Sequence, residues 1–286
     1  MPNKTAQVGK QKVKVAFQGE RGAYSESAVY TFFGATADVK PCRDLAEVFE
    51  SVDKQEAQFG VVPVENSLEG SVNQTYDLFL TYNLKVCGEI IIRISHCLIA
   101  NPNTSLAAVK TVYSHPQALA QCRSFLERLG RELIPTYDTA GSVKMLKEKG
   151  LKEAAAVASE KAAEIYGMKI LAREIEDNPE NYTRFFVLSK EDSPMTGKDK
   201  TSIIFAASHT PGSLYHALGE FAKRNINLTK IESRPTRQKP WEYNFYLDFE
   251  GHRTEENCAA ALKALEKSAL FIKILGSYSK ATQNKH

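Results

Sequence analysis

Short apolar runs alternate with stretches in which apolar residues recur every three or four positions, from residue 12 to about residue 189. A run of that kind suits a strand buried on both faces, and the longer spacing suits a helix with one apolar side, so the alternation predicts parallel sheets covered by helices. "VKVAF" (13–17) reads as a buried strand, "AYSESAVYTFF" (23–33) as a helix and "FGVVPV" (59–64) as another strand, with a helix starting near Ser71. "GEIIIRISHCLIA" (88–100) is extended and β-branched, after which the unit repeats. "VKTVYS" (109–114) is a strand and "PQALAQCRSFLERLG" (116–130) one helix, with Pro116 in its first turn and Gly130 at its end. Another helix begins near Asp138 or Thr139, and "AAAVAS" (154–159) suits a short strand feeding the helix "EKAAEIYG".

The pattern breaks at "SKEDSPMTGKDK" (189–200), which is charged, carries Pro194 and Gly197 and has no apolar period. It reads as a linker. Beyond it come a strand (201–208), a helix (213–225), two strands (226–234 and 241–249), a helix (254–268) and a last strand (270–277). This βαββαβ order is the split βαβ of ferredoxin-like domains.

A chain of 286 residues fits about two such units, and 43% hydrophobic with 25% charged residues is enough to build their cores. The net charge of +3 is small and its basic residues are scattered, so no nucleic acid is expected as partner. Cys42, Cys87, Cys97, Cys122 and Cys258 show no paired spacing and read as reduced structural thiols. The opening "MPNKTAQVGKQK" lacks the apolar core of a signal peptide, and no apolar run approaches a membrane span. A cytoplasmic protein without membrane association is expected.

Three loops run from a strand end directly into a helix: "QGERGAYS" (18–25), "ENSLEGS" (65–71) and "SHPQ" (114–117). Backbone N–H groups at a helix start lack intrahelical partners and carry partial positive charge, so a group of such loops suits an anionic small molecule. Gly19 and Gly22 form G-x-x-G, which serves either a tight turn or close approach to a ligand; it is not a dinucleotide fingerprint. With no Walker pattern and no metal-ligand cluster, neither cofactor nor metal is expected. Asn66, Ser67, Ser114 and His115 are good capping residues or site residues. Gln121, one turn past Gln117, faces either the same site or solvent, and the charges of Glu65 and Glu69 solvate their loop. In the tail, "HTPGSLYHAL" (209–218) sets a Pro-Gly turn before a helix, and "IESRP" (231–235) ends a strand. Glu232 and Arg234 there are either an exposed edge or a grip for the amine and carboxylate of an amino acid.

"NYTRFFVL" (181–188) is a strand with a polar mouth. With "FQGERGAYSESA" (17–28), "GVVPVENSLEGSV" (60–72), "SHPQALAQC" (114–122), "DTAGSVK" (138–144), "PGSLYHAL" and "IESRP", it resembles the prephenate dehydratase family joined to a C-terminal ACT domain. The likeness runs over residues 12–279. It implies a two-lobed α/β catalytic domain of the periplasmic-binding-protein-like type II class, with the active site in the cleft. Lobe one takes residues 12–93 and 172–189, so that "TRFFVL" completes its sheet, and lobe two residues 94–171. A linker (190–200) and a ferredoxin-like ACT domain (201–279) follow.

Carried over by motif, Thr183 looks like the residue that assists departure of the ring hydroxyl, and Arg184 like a partner for substrate carboxylate. Asn66, Ser114 and Gln121 fall on active-site positions, and Glu65, Ser67, His115, Thr139 and Phe185 on cleft lining. Gly212, Ser213, Leu214, Glu232, Ser233, Arg234 and Pro235 look like an L-phenylalanine effector site. The likeness further implies a feedback-inhibited homodimer or homotetramer acting on prephenate without a cofactor. It is expected to be monofunctional, since no chorismate mutase segment precedes residue 12. Ser213 stands where the family often has alanine. Arogenate in place of prephenate, or a non-catalytic amino-acid sensor, are the competing readings.

Overall fold

The computed structural model describes residues 12–236 and 242–281. In chain order its elements begin with β1 (Lys14–Gln18), α1 (Tyr24–Phe33), β2 (Asp38–Cys42), α2 (Leu45–Asp53) and β3 (Phe59–Asn66). There follow β4 (Gly70–Ser71), α3 (Asn73–Thr81), β5 (Lys85–Arg93), β6 (Cys97–Ala100), β7 (Thr111–Ser114), α4 (Pro116–Gln121) and α5 (Arg123–Leu129). Next come β8 (Glu132–Pro135), α6 (Thr139–Glu148), β9 (Ala154–Ala158), α7 (Glu160–Tyr166), β10 (Lys169–Ala172) and β11 (Tyr182–Ser189). The chain continues with β12 (Asp199–Ala207), α8 (Ser213–Ala222), β13 (Leu228–Pro235), β14 (Tyr243–Glu250), α9 (Glu256–Ser268) and β15 (Ala269–Ser279). Trp241, with which the sequence pattern opens the third strand of the tail, lies outside the described residues.

Among the described residues two compact units emerge: 12–61 with 95–179, and 62–94 with 180–236 and 242–281. In the first, β1 runs parallel to β2 and to the start of β3, pairing Val15 with Val39 and with Phe59. A second sheet has the order β10-β6-β9-β7-β8. There β7 is parallel to β8 and β9, but β6 is antiparallel to both β9 and β10. The expectation of parallel sheets is thus corrected to mixed ones. The run "GEIIIRISHCLIA" is also two strands, β5 and β6, interrupted at Ile94, Ser95 and His96.

The expected helix over 116–130 is likewise broken, at Cys122. Asp177 replaces the missing intrahelical bonds: its backbone N–H donates to the Gln121 carbonyl at 2.8 Å, and its carboxylate accepts from the Ser124 N–H at 3.1 and 3.2 Å. Helix α2 has no counterpart in the sequence reading, although Leu45, Val48, Phe49 and Val52 form a buried stripe behind the Asp44 cap. In the first loop, Gly22 has φ +90°, and a Cβ there would lie 2.6 Å from the Ala162 Cα. Its left-handed turn and its packing against α7 therefore both demand glycine, and the close neighbour is protein.

In the second unit, β11 pairs antiparallel with β5, setting Thr183 opposite Ile92 and Phe185 opposite Ile90. The tail forms an antiparallel sheet of order β13-β14-β12-β15, and its βαββαβ sequence is the ferredoxin-like arrangement. One face carries Ile203, Phe205, Leu247 and Phe249 against Phe221 of α8 and Leu262 and Leu265 of α9. Burying each of these side chains contributes roughly 1.5–3 kcal/mol.

The opposite face of this sheet is also covered, by β5, β11 and α3. The Tyr246 and Tyr76 rings meet at 4.7 Å between centroids, and Tyr278 and Phe186 at 5.5 Å. At Gly276 a Cβ would lie 2.9 Å from the Val86 nitrogen and closer still to its oxygen, so β15 rests directly on the β5 backbone. Among the described residues no helix is long and apolar enough to cross a membrane. Because backbone atoms cannot yield as a flexible side chain does, Gly276→Ala is expected to lose about 1–3 kcal/mol of stability, measured by urea unfolding.

Candidate active site

Each compact unit carries one constellation of the candidate residues. In the second unit, Asn66 ends β3 and is 6% exposed. Its Oδ1 accepts the backbone N–H groups of Leu68 and Glu69 at 3.0 and 3.1 Å, which shapes the "ENSLEGS" turn and fixes the orientation of the amide. The two N–H bonds of Nδ2 then point into the mouth of β11, shared among Asn181 Oδ1 at 2.7 Å, Thr183 Oγ1 at 3.0 Å and the Tyr182 carbonyl at 3.2 Å. Thr183 therefore accepts through a lone pair and retains its own O–H for another acceptor. A donor on the hydroxyl oxygen also polarises that O–H and makes it a stronger hydrogen-bond donor.

Ser67 fastens the same junction. Its backbone N–H donates to the Tyr182 carbonyl at 2.8 Å, and its hydroxyl donates to the Glu180 carbonyl while accepting the Tyr182 N–H at 2.9 Å. Glu65, one residue before Asn66, accepts from Lys230 at 3.0 Å.

Arg184 and Phe185 sit differently from the expectation carried over by motif. The Arg184 side chain is 11% exposed, and each guanidinium nitrogen already has a protein partner. Nε donates to Glu89 at 2.7 Å, Nη1 to Asp248 at 2.5 Å and Nη2 to the Tyr278 hydroxyl at 2.9 Å. Burial works against the charge, but Asp248, Tyr278 and Glu89 outweigh it and raise the Arg184 pKa. With its donors committed, this guanidinium is a structural node and not a free hand for a substrate carboxylate. Phe185, 2% exposed and paired with Ile90, belongs to the core.

In the first unit, Ser114 ends β7 fully buried and donates its hydroxyl to the Val157 carbonyl at 2.6 Å, so it can meet a ligand only as an acceptor. His115 caps α4: its Nδ1 accepts the Gln117 N–H at 3.2 Å, which assigns the proton of the neutral ring to Nε2. Thr139 opens α6 behind Asp138, whose carboxylate accepts the Gly141 N–H at 2.7 Å and whose pKa burial raises. Gln121 has an unforeseen partner in His96, 2% exposed, whose Nε2 lies 3.0 Å from the Gln121 Oε1. The other ring nitrogen faces the Tyr24 hydroxyl at 3.0 Å, which also donates to the Ser95 carbonyl at 2.6 Å. A single histidine at the interruption of a β-branched run was the available signal for His96.

The tail places its candidates in two settings. Gly212 has φ +82° and precedes α8, and Ser213 lines a cavity of about 410 Å³ bounded by His209, Pro211, Thr236, Tyr243, Phe245 and Leu270. Lys230, Glu232 and Arg234 alternate along β13 and share one face. Glu232 accepts from Ser71 and pairs with Lys230 at 3.3 Å, while Arg234 lies 3.4 Å from Asp77. Ser233 and Leu214 flank these residues in sequence.

Fold and site define an α/β enzyme followed by an ACT module. Residues 15–193 match the family described as prephenate dehydratase, and residues 201–267 match the ACT domain. The chain is 47% identical over 273 residues to the bifunctional chorismate mutase/prephenate dehydratase of Aquifex aeolicus (strain VF5), covering 94% of this chain and 74% of that protein. It is 45% identical over 278 residues to arogenate dehydratase/prephenate dehydratase 2, chloroplastic, of Arabidopsis thaliana, covering 93% and 73%. The structure of a prephenate dehydratase from Arthrobacter aurescens in complex with L-Phe superposes with a TM-score of 0.87 at 34% identity, over 94% of this chain and 90% of that one. The chain belongs to the prephenate dehydratase family.

The buried imidazole has a measurable consequence. Burial holds the His96 pKa below its ordinary 6.5, opposed by the Gln121 bond. The unfolded chain therefore takes up the proton first as pH falls, and stability present above 6.5 is lost toward the folded value. His96→Gln is expected to flatten the fall in Tm between about pH 7.5 and 5.5, followed by thermal unfolding across that range.

Proposed function

We propose that this protein converts prephenate to phenylpyruvate, carbon dioxide and water under feedback control by L-phenylalanine. The observation that carries the reading is the Asn66 amide donating to Thr183 Oγ1 at 3.0 Å, which leaves the threonine O–H to donate outward. In the reaction the ring carboxylate leaves as carbon dioxide, its bonding pair enters the ring, and the opposite C–O bond breaks with departure of hydroxide, which becomes water with one proton. Threonine is a weak acid, so it acts as a preorganised hydrogen-bond donor to the oxygen as negative charge grows there. Aromatisation supplies the driving force.

Asn66 orients Thr183. Ser114, through its remaining lone pairs, and Gln121, through an amide held by His96, are the further proposed active-site groups. Glu65, Ser67, His115 and Thr139 are assigned to the surrounding shell. The effector is assigned to Gly212–Leu214 with Glu232, Ser233 and Arg234. Residues 12–189 are proposed as the catalytic domain, 190–200 as linker and 201–279 as the ACT domain. A cytoplasmic homodimer or dimer of dimers completes the reading.

Thr183→Ala is expected to lower kcat by about 10²–10³-fold with unfolding and L-phenylalanine binding unchanged. Turnover near the parent level would remove Thr183 from its role. Similarity to a relative named for both arogenate and prephenate favours arogenate as the second reading. A steady-state assay of the purified protein on both compounds, with and without L-phenylalanine, is expected to show higher kcat/KM for prephenate and inhibition by the amino acid. Formation of phenylalanine from arogenate as the faster reaction would reverse the substrate, and phenylalanine binding without turnover of either would leave a sensor.

A further inference from the structure

The two strand ends that carry the Asn66–Thr183 pair are each held from the ACT sheet, at the residue next to the pair. Beside Thr183 in β11, Arg184 is gripped by Asp248 of β14 and Tyr278 of β15. Beside Asn66 in β3, Glu65 is gripped by Lys230 of β13. We propose that Asp248 and Lys230 are positioning residues for the dehydration, and that they carry a ligand's effect from strand β13 to Thr183. This inference rests on the dehydratase reading above.

The first grip lies in a buried ionic cluster. Glu89 is fully buried and accepts from Arg184, from Lys200 at 3.1 Å and from the Ala281 N–H at 2.9 Å. Ser202 donates to the second Asp248 oxygen at 2.5 Å and lies 2.6 Å from the Tyr278 hydroxyl. Burial, and then the Asp248 charge, raise the Tyr278 pKa well above its ordinary value, so the phenol keeps its proton. Two cations, Arg184 and Lys200, thus face two buried anions, Glu89 and Asp248, and Glu65 of the second grip lies 3.8 Å from the Arg184 Nη1. Desolvating four charges cancels much of their attraction, so such a cluster adds little to stability over apolar packing, whereas its directional bonds distinguish one register from another. That register is the placement of Thr183.

The second grip reaches the proposed effector site. Lys230, its side chain 9% exposed, bonds Glu65 at 3.0 Å and Ser71 at 2.8 Å and pairs with Glu232. Its ammonium also lies 5.7 Å from the centre of the Tyr76 ring. Glu232 accepts from Ser71, so both ends of the turn that begins at Asn66 are tied to β13. An α-ammonium that engages Glu232 draws that carboxylate from Ser71 and Lys230. Lys230 then keeps Glu65 and the Ser71 hydroxyl but loses its second carboxylate, and the hairpin carrying Asn66 loses the Ser71–Glu232 anchor.

The test is a double-mutant cycle on the full chain, with prephenate as substrate. Asp248→Asn keeps the shape of the side chain and a hydrogen-bonding oxygen but removes the charge. It is expected to lower kcat about tenfold with KM for prephenate changed less than twofold, because an interaction made chiefly in the transition state is weakened. In a Thr183→Ala background the same substitution is expected to leave the residual kcat unchanged, since its target is gone. Lys230→Met is expected to lower kcat in the same non-additive way. It should also raise the L-phenylalanine concentration for half inhibition about tenfold, while calorimetry shows L-phenylalanine still bound.

Additive losses of kcat in both cycles would overturn the positioning role, and unchanged inhibition in Lys230→Met would overturn the transmission role. If Asp248→Asn does not fold, the Lys230 cycle decides alone. Wild-type protein that turns over no prephenate removes both this inference and the dehydratase reading. Wild-type turnover with additive cycles removes this inference only.

Discussion

The Asn66 side-chain amide is the constraint on which the proposed chemistry depends. Its oxygen accepts two backbone N–H groups of its own turn, and its nitrogen serves the side chains of Asn181 and Thr183 and the Tyr182 carbonyl. A single planar group thereby sets the shape of the β3 turn, the spacing of β3 from β11 and the hydrogen-bonding state of the threonine. No other orientation of the amide satisfies the Leu68 and Glu69 donors. The threonine hydroxyl is consequently an acceptor toward the protein and a donor outward, as stabilisation of a leaving oxygen requires.

The same economy governs the second unit as a whole. The ACT sheet is buried on both faces, but the two are built differently. Toward α8 and α9 it is apolar, from Phe205 to Leu265. Toward β5 and β11 it is a mixture of aromatic rings, the close seat of Gly276 on Val86 and the Arg184–Glu89–Asp248–Lys200 cluster. Apolar packing alone tolerates small slips, since its energy follows area, whereas paired charges out of water do not.

Two groups expected to meet substrate have other work, and the reason lies in their alternation along β11. Thr183 is placed at the mouth by its neighbour Asn66, while Arg184, on the other side of the strand, faces Glu89 and Asp248. Adjacent residues of one motif thus serve opposite faces, one at the proposed site and one for attachment. His96 stands in a comparable relation to Gln121 in the first unit, where a buried imidazole orients an amide.

The sequence by itself determined the family, the βαββαβ tail and most helix and strand positions, and its motifs singled out Asn66 and Thr183 as candidates. Those features are local: apolar period, caps and motif order are written within stretches of about ten residues. What it did not determine were the mixed direction of the sheets, the break at Cys122, helix α2 and the partners of Arg184. Strand direction depends on which distant run lies alongside, and the break depends on Asp177, more than fifty positions beyond Cys122. The family motif makes Arg184 a ligand residue beside Thr183, because a motif does not record what packs behind the strand. Only tertiary structure supplies Glu89 and Asp248, which neutralise it across 95 and 64 positions of chain.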